Sequence, residues 1–323
     1  MKSNKPKFIF FGTPDFSAII LKKLIENNYL PIAVFTALDK PVGRKRILKP
    51  SPVKVLAKKN GLLVFQPKKI GDDKLQIEKL KPDLIILSAY GQIIPKEILE
   101  IPKYGCLNVH PSLLPKYRGP SPIQTAILNG EEKTGVTIFM MDEKIDHGPI
   151  IAQKELEIKK YNFKTLSKKL AELGADLLIE ILPKYLANEI KPIPQDDSKA
   201  TYTKIIKKED GKINWQKTAE EIERMIRAYY PWPGTYTYIK SQIPSTKSQT
   251  QTQKMLKIIK AKVLKIDHQK ETGTVFLTEK KEPAIACKKD ALILKEVQFE
   301  GKKKISGKDL LNGYPWIVNL KLF

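Results

Sequence analysis

Over residues 1 to about 190, short apolar runs alternate with amphipathic stretches. Residues 7–11 predict a strand, and residues 14–27 predict a helix because Phe16, Ile19, Ile20 and Leu24 recur at helical spacing. Residues 30–36, 62–65 and 83–90 predict further strands, the last (DLIILSAY) so apolar that both of its faces must be covered. This alternation predicts an α/β domain: a parallel sheet with helices on each side. Ser121 followed by Pro122 is a helix start, N-cap then first turn, and apolar residues at helical spacing over 165–186 close the domain.

Residues 191–208 carry two prolines and no helical period, and read as a linker. Beyond it the pattern changes to one helix, residues 218–229, and short β-rich runs at 235–239, 256–264, 274–278, 284–287 and 292–297. A small antiparallel barrel over residues 209–323 is the expected outcome. Residues 241–254 (SQIPSTKSQTQTQK) are polar and of low complexity, which predicts an insertion without catalytic duty.

Composition adds a partner class. The formal net charge of +23 exceeds what solubility needs and argues for a polyanion such as nucleic acid. Membrane surfaces are the competing anion, but no apolar run approaches the roughly 18 residues of a spanning helix, so a soluble cytoplasmic protein without a signal peptide is expected. Cys106 and Cys287 sit in apolar runs with no C-x-x-C spacing and read as free buried thiols.

The chemistry concentrates at residues 106–122, CLNVHPSLLPKYRGPSP. In a strand Asn108 and His110 project from one face while Val109 points the other way. A second polar knot, residues 142–149 (DEKIDHGP), follows the apolar run 136–141 and offers Asp146 beside His147. An amide N–H and an imidazolium can both donate to an oxyanion, and a carboxylate near the imidazole orients it, a set suited to acyl transfer. No G-x-S-x-G elbow occurs, and Ser112 lies too close to His110 to read as a triad serine, so the attacking group is expected to come from a substrate amine. His147, on the same tight turn, is expected to point elsewhere. Gly12 follows a strand and precedes a helix, yet Thr13, Pro14 and Asp15 replace the glycines of a dinucleotide fingerprint, which excludes that reading.

These residues resemble the methionyl-tRNA formyltransferases within the folate-dependent formyltransferase family. The resemblance runs through FFGTPDF (10–16), KPVGRKRILKPSPVKVLA (40–57), SAYGQIIPKEIL (88–99), LNVHPSLLPKYRG (107–119), TGVTIFMMDEKIDHGPI (134–150) and IRAYYPWPGTY (226–236). It implies a Rossmann-like catalytic domain followed by a smaller OB-like barrel, with formyl transfer from 10-formyltetrahydrofolate to methionine on initiator tRNA and no metal. It also implies Asn108, His110 and Asp146 as the catalytic trio. Ser112, Leu113, Leu114 and Pro115 would flank the folate, and Ala89, Tyr90, Gly91, Gln92 and Ile93 would line the pterin pocket. Arg44, Lys45, Arg46 and Lys49 in the basic loop would contact tRNA, and the chain is expected to act as a monomer. Pro111 stands where some members have Gly, which affects only loop geometry. Another amine acceptor is the alternative activity, and a metallohydrolase using His110, Asp146 and His147 the alternative chemistry.

Overall fold

The computed structural model describes residues 5–42, 47–240 and 253–323. By internal packing the chain forms two units. The first comprises Met1–Ile123, Glu132–Lys159 and Thr165–Lys204, and the second Gln124–Glu131, Lys160–Lys164 and Ile205–Phe323.

The first unit is built on seven strands: β1 (Phe8–Gly12), β2 (Ala33–Phe35), β5 (Val64–Phe65), β6 (Leu84–Ser88), β7 (Cys106–His110), β8 (Lys133–Met140) and β9 (Ile150–Glu157). Two short strands outside this sheet, β3 (Lys40–Val42) and β4 (Ile47–Lys49), pair as a separate antiparallel ribbon. The main sheet runs β5-β2-β1-β6-β7-β8-β9. Its first five strands are parallel, as their uniformly apolar character predicts, but β8 and β9 are antiparallel, so the sheet is mixed. Helices α1 (Asp15–Glu26), α2 (Pro52–Lys59), α3 (Lys74–Leu80), α4 (Lys96–Leu99) and α6 (Phe163–Leu186) complete the α/β pattern, while most of α5 (Pro122–Asn129) belongs to the second unit. Chain order reverses between β1 and β6, and a crevice at the carboxyl ends of the strands is where such sheets bind ligands.

The two faces of β7 have different neighbours. Cys106 packs in a core with Phe11, Phe35, Ile85, Leu87, Ile77 and Ile98. Asn108 and His110 continue that face, because Asn108 is in register with Leu87 on one side and Phe139 on the other. Val109 points to the opposite face, where Gly174 of α6 lies so close that a Cβ there would sit 2.7 Å from Val109 Cγ1. Burial pushes the Cys106 and Cys287 thiols up to about 12, and both cysteines are free.

The second unit holds α7 (Ala219–Ala228), opened by a reciprocal cap between Thr218 and Glu221, and the strands β10 (Thr235–Lys240), β11 (Gln253–Leu264), β12 (Val275–Leu277), β13 (Pro283–Ala286), β14 (Ala291–Phe299) and β15 (Ile305–Ser306), followed by α8 (Gly307–Gly313). Strand pairing runs β10-β11-β14-β13-β12, with β15 added to β14. The C-terminal residues bond to both ends of that path: Tyr238 N–H of β10 donates to Phe323 O (2.9 Å), and Val275 N–H of β12 donates to Leu320 O (2.8 Å). The antiparallel sheet is thereby closed towards a barrel. Of the expected insertion, Gln253 and Lys254 open β11, in register with Lys240 and Ile239, while 241–252 lie outside the described residues. No helix among the described residues is long and apolar enough to cross a membrane.

Candidate active site

Asn108, His110 and Asp146 converge. Asn108 Nδ2 faces Asp146 Oδ1 at 3.4 Å, and His110 Nδ1 faces Asp146 Oδ2 at 3.6 Å. Asn108 and His110 are buried at 7% and 4% exposure, and the Asp146 side chain is 14% exposed. Gly119 N–H donates to Asp146 Oδ2 at 2.7 Å, a short charge-assisted bond that fixes the carboxylate. A carboxylate only accepts, so the Asn108 amide must present its nitrogen to Asp146; its Oδ1 is buried without a hydrogen-bond partner. An orphaned buried acceptor at the carboxyl end of a central strand fits a ligand that brings an N–H or O–H donor.

The imidazole is more committed than an oxyanion donor needs. His110 Nε2 lies 3.0 Å from the Tyr117 carbonyl, which can only accept, so Nε2 carries a proton, and Nδ1 turns to the Asp146 carboxylate, to which it can donate only as the imidazolium. Donation from His110 to a substrate oxygen therefore draws on one of these two contacts.

Asp146 occupies the left-handed region at φ 48°, rare for a residue with a side chain. Its loop presses back on β8: a Cβ on Gly148 would lie 1.8 Å from Met140 O, so only glycine fits. Gln195 Nε2 donates to the carbonyls of both Asp146 (2.9 Å) and Gly148 (2.8 Å). Arg118, 1% exposed, holds the other end of Gln195 and also bonds to Asp197 and Tyr202. His147 takes no part in the trio; its nitrogens face Asp142 (2.5 Å) and Asp197 (3.2 Å). The set a metallohydrolase would use is thus split, and among the described residues no group of three or more His, Cys, Asp or Glu could hold a metal.

Residues 112–115 are pinned from two neighbouring strands. Thr137 is in register with His110, and Gln153 with Thr137. Thr137 Oγ1 donates to Ser112 O (2.7 Å) and accepts from Leu114 N–H (3.1 Å), while Gln153 Nε2 donates to Leu114 O (2.8 Å). Ser112 Oγ bonds to Lys116 O, so the hydroxyl has a structural partner. Leu114 is buried, and Leu113 and Pro115 are half-buried. Arg118 and Thr137 lie inside the recognisable blocks but nothing in those blocks assigns them a role, and Gln153 and Gln195 lie outside any motif; strand register and hydrogen bonding reveal all four.

In the segment after β6, Ala89 and Gly91 have positive φ (44° and 91°). Tyr90 is buried in the core beside Phe11, and Gln92 bonds to the backbone of Ile70 and Pro67, so those two side chains are turned inward. Ile93 is 79% exposed and Ala89 is exposed, leaving these two side chains and the turning backbone as the free surface of this strip. Lys49 is exposed on β4, in register with Lys40. Arg44, Lys45 and Arg46 lie outside the described residues.

Comparison with known proteins bears on what this arrangement serves. The formyl transferase family matches residues 6–182, and the formyl transferase C-terminal domain family matches residues 205–315. A methionyl-tRNA formyltransferase of Bacillus pumilus is 44% identical over 321 residues, covering 98% of this chain and 97% of its own. The chain belongs to the methionyl-tRNA formyltransferase family. Formyltransferase folds also recur among solved structures. An N-formyltransferase from Helicobacter canadensis, in complex with folinic acid and dTDP-3-aminofucose, superposes with a TM-score of 0.64 at 22% identity, covering 90% of this chain and 98% of its own. HypX from Aquifex aeolicus, in complex with tetrahydrofolic acid, gives a TM-score of 0.64 at 16% identity, covering 98% of this chain; the chain spans 48% of that protein. Both show the fold. Asn108, His110 and Asp146 fall inside the first family match, whereas Gln195, Asp197 and Tyr202 fall between the two.

Proposed function

We propose that this chain transfers the formyl group of 10-formyltetrahydrofolate to the α-amino group of methionine on initiator methionyl-tRNA, giving N-formylmethionyl-tRNA and tetrahydrofolate. The observation that carries the reading is full-length membership of that family together with the convergence of Asn108, His110 and Asp146 at one strand end. When bound, the donor supplies a formyl carbon attached to N10.

Asn108 holds the formyl oxygen through its amide N–H while the neutral amine attacks; one C–N bond forms and the bond to N10 breaks. Negative charge developing on the oxygen is met by the Asn108 N–H and by His110, the electrostatic contribution that usually dominates acyl transfer. Asp146 orients His110 and accepts the proton leaving the amine, which passes by way of water to the departing N10. Residues 112–115 flank the folate, with Leu113 and Leu114 beside it, and backbone at 89–93 lines the pterin side. Arg44, Lys45, Arg46 and Lys49 grip tRNA phosphates, in keeping with the +23 charge. The protein acts in the cytoplasm as a monomer.

The test is incubation of the purified chain with 10-formyltetrahydrofolate and methionyl-tRNA, followed by mass spectrometry of the released aminoacyl group. A gain of one formyl group is expected. Formylation of an amino sugar with none of methionyl-tRNA would move the acceptor to a small amine.

A further inference from the structure

We propose that Gln195, locked in place by the buried guanidinium of Arg118, is the positioning residue that holds Asp146 in its working geometry. The inference rests on the formyl-transfer reading of the site.

Among the described residues Arg118 is the largest fully buried side chain, a cation almost wholly withdrawn from water. A buried charge persists only when paired and fully hydrogen-bonded. Its Nε and Nη2 donate to Gln195 Oε1 at 3.1 and 2.8 Å, Nη2 also donates to Asp197 Oδ1 at 2.7 Å, and Nη1 lies 3.2 Å from Tyr202 Oη. None of these partners is in the trio, so Arg118 acts through another group. A guanidinium has no acceptor, hence Gln195 must present its oxygen to Arg118 and its NH2 to the other side. That NH2 meets the carbonyls of Asp146 and Gly148 together. Both peptides of the turn that puts Asp146 at positive φ are therefore gripped by one amide whose orientation has no alternative.

The backbone supports the same geometry from below. Arg118 N–H donates to Thr201 O and Thr203 N–H to Arg118 O, both at 2.8 Å, so residues 201–203 run beside 118 as a short parallel bridge. Gly119, whose N–H holds the Asp146 carboxylate, follows directly and has a φ of 104°, with a Cβ there crowding Thr203 Oγ1 at 3.0 Å. Residues 191–208, read from sequence as a linker, thus supply through Gln195 and Thr203 the outer support of the catalytic carboxylate. A displacement of about 1 Å in a reacting group costs about 10²-fold in rate, which sets the scale for losing such support.

Two substitutions separate the roles of Gln195. Gln195→Met keeps the volume and removes every bond; Gln195→Glu keeps an oxygen on Arg118 but loses the donation to the two carbonyls. With the full chain, 10-formyltetrahydrofolate and methionyl-tRNA, both variants are expected to lower kcat by about 10- to 100-fold with KM for either substrate little changed. The activity of Gln195→Glu relative to wild type should rise towards acid pH, where a protonated carboxyl again donates. In an Asp146→Asn background, Gln195→Met should add less than about twofold, because the group it positions is already gone. A wild-type kcat in Gln195→Met, or full loss multiplying onto Asp146→Asn, overturns the proposal. Gln195→Glu with wild-type kcat and no pH dependence of its own overturns the donor role. Absence of formyl transfer by the wild-type chain would instead overturn the reading of the site.

Discussion

Replacing Asp146 by asparagine changes two things at once, and the structure gives the size of each. The oxygen that accepts from Gly119 N–H must remain an acceptor, so the new amide nitrogen takes the place of Oδ1 and faces Asn108 Nδ2, donor against donor. Relief comes when the Asn108 amide rotates by half a turn, using its unpartnered Oδ1 to accept from the new residue. Packing is preserved, but the Asn108 donor is turned away from its original direction. Loss of one preorganised donor to a developing oxyanion costs about 10²–10³ in kcat. The second change is loss of charge: an imidazolium 3.6 Å from a carboxylate gains about 4.6 kcal/mol at an effective dielectric near 20, an upper limit once desolvation is subtracted. The proton acceptor is removed as well.

Asp146→Asn is therefore expected to melt within a few degrees of wild type and to lose at least about 10²-fold in kcat, with KM for the folate little affected. Single-turnover formylation of methionyl-tRNA, measured beside thermal unfolding, is the assay. A folded variant within tenfold of wild-type turnover would refute the acid/base assignment. It would also refute the claim that Asn108 takes its orientation from the carboxylate.

Asn108→Ala should separate activity from stability: it deletes an acceptor that is already unsatisfied, so stability should change by no more than about 1 kcal/mol while kcat falls by about 10²–10³, and an equally large loss of stability would assign Asn108 to the core instead. Asp197 is held below the ordinary carboxylate range mainly by its hydrogen bond to Arg118. Its folded-state shift is downwards, so its contribution is present above the unfolded carboxylate value and is lost as pH falls through the folded one. Melting curves from pH 6 to 2 should show Asp197→Asn less stable than wild type at the upper end and indistinguishable at the lower; a constant difference would refute the linkage. Replacing Arg44 by alanine should flatten the salt dependence of methionyl-tRNA binding by a slope of about 0.7 to 0.9 in log K against log salt and leave folate binding unchanged, and an unaltered slope would remove that cation from the interface.

Where the sequence carries periodicity, it predicts elements that the structure contains. The strands at β1, β2 and β6 and helices α1, α6 and α7 have enough apolar residues in register to be read directly. The helix start at Ser121–Pro122 is read from capping chemistry, and the same Ser-Pro signature at Ser51–Pro52 opens α2, where Ser51 Oγ accepts from Lys54 N–H. Other elements leave weaker traces. β9 is an exposed edge whose charged IIAQKELE reads poorly as a strand, and the ribbon of β3 and β4 has three residues a side. The antiparallel turn of the sheet had a signal of another kind: residues 141–149 between β8 and β9 are too few for the crossover that a parallel pair requires.

The convergence of the proposed trio is legible because it is written in short blocks, Asn108 and His110 two residues apart on one strand and Asp146 on a turn that includes Gly148. Its support is not, since Arg118 and Gln195 are 77 positions apart and an arginine does not announce its burial. Register explains the difference. Asn108 and His110 need only the period of a strand to share a face, whereas Thr137 and Gln153 reach residues 112–115 only after three strands have been aligned, and Gln195 reaches Asp146 only after residues 193–203 have been laid beside Ile150 and Arg118 within the first unit. Local sequence thus specifies which groups perform the chemistry, and non-local register specifies how firmly they are held. A sequence that keeps Asn108, His110 and Asp146 but loses the Arg118–Gln195 pair should accordingly retain the motif and lose the rate.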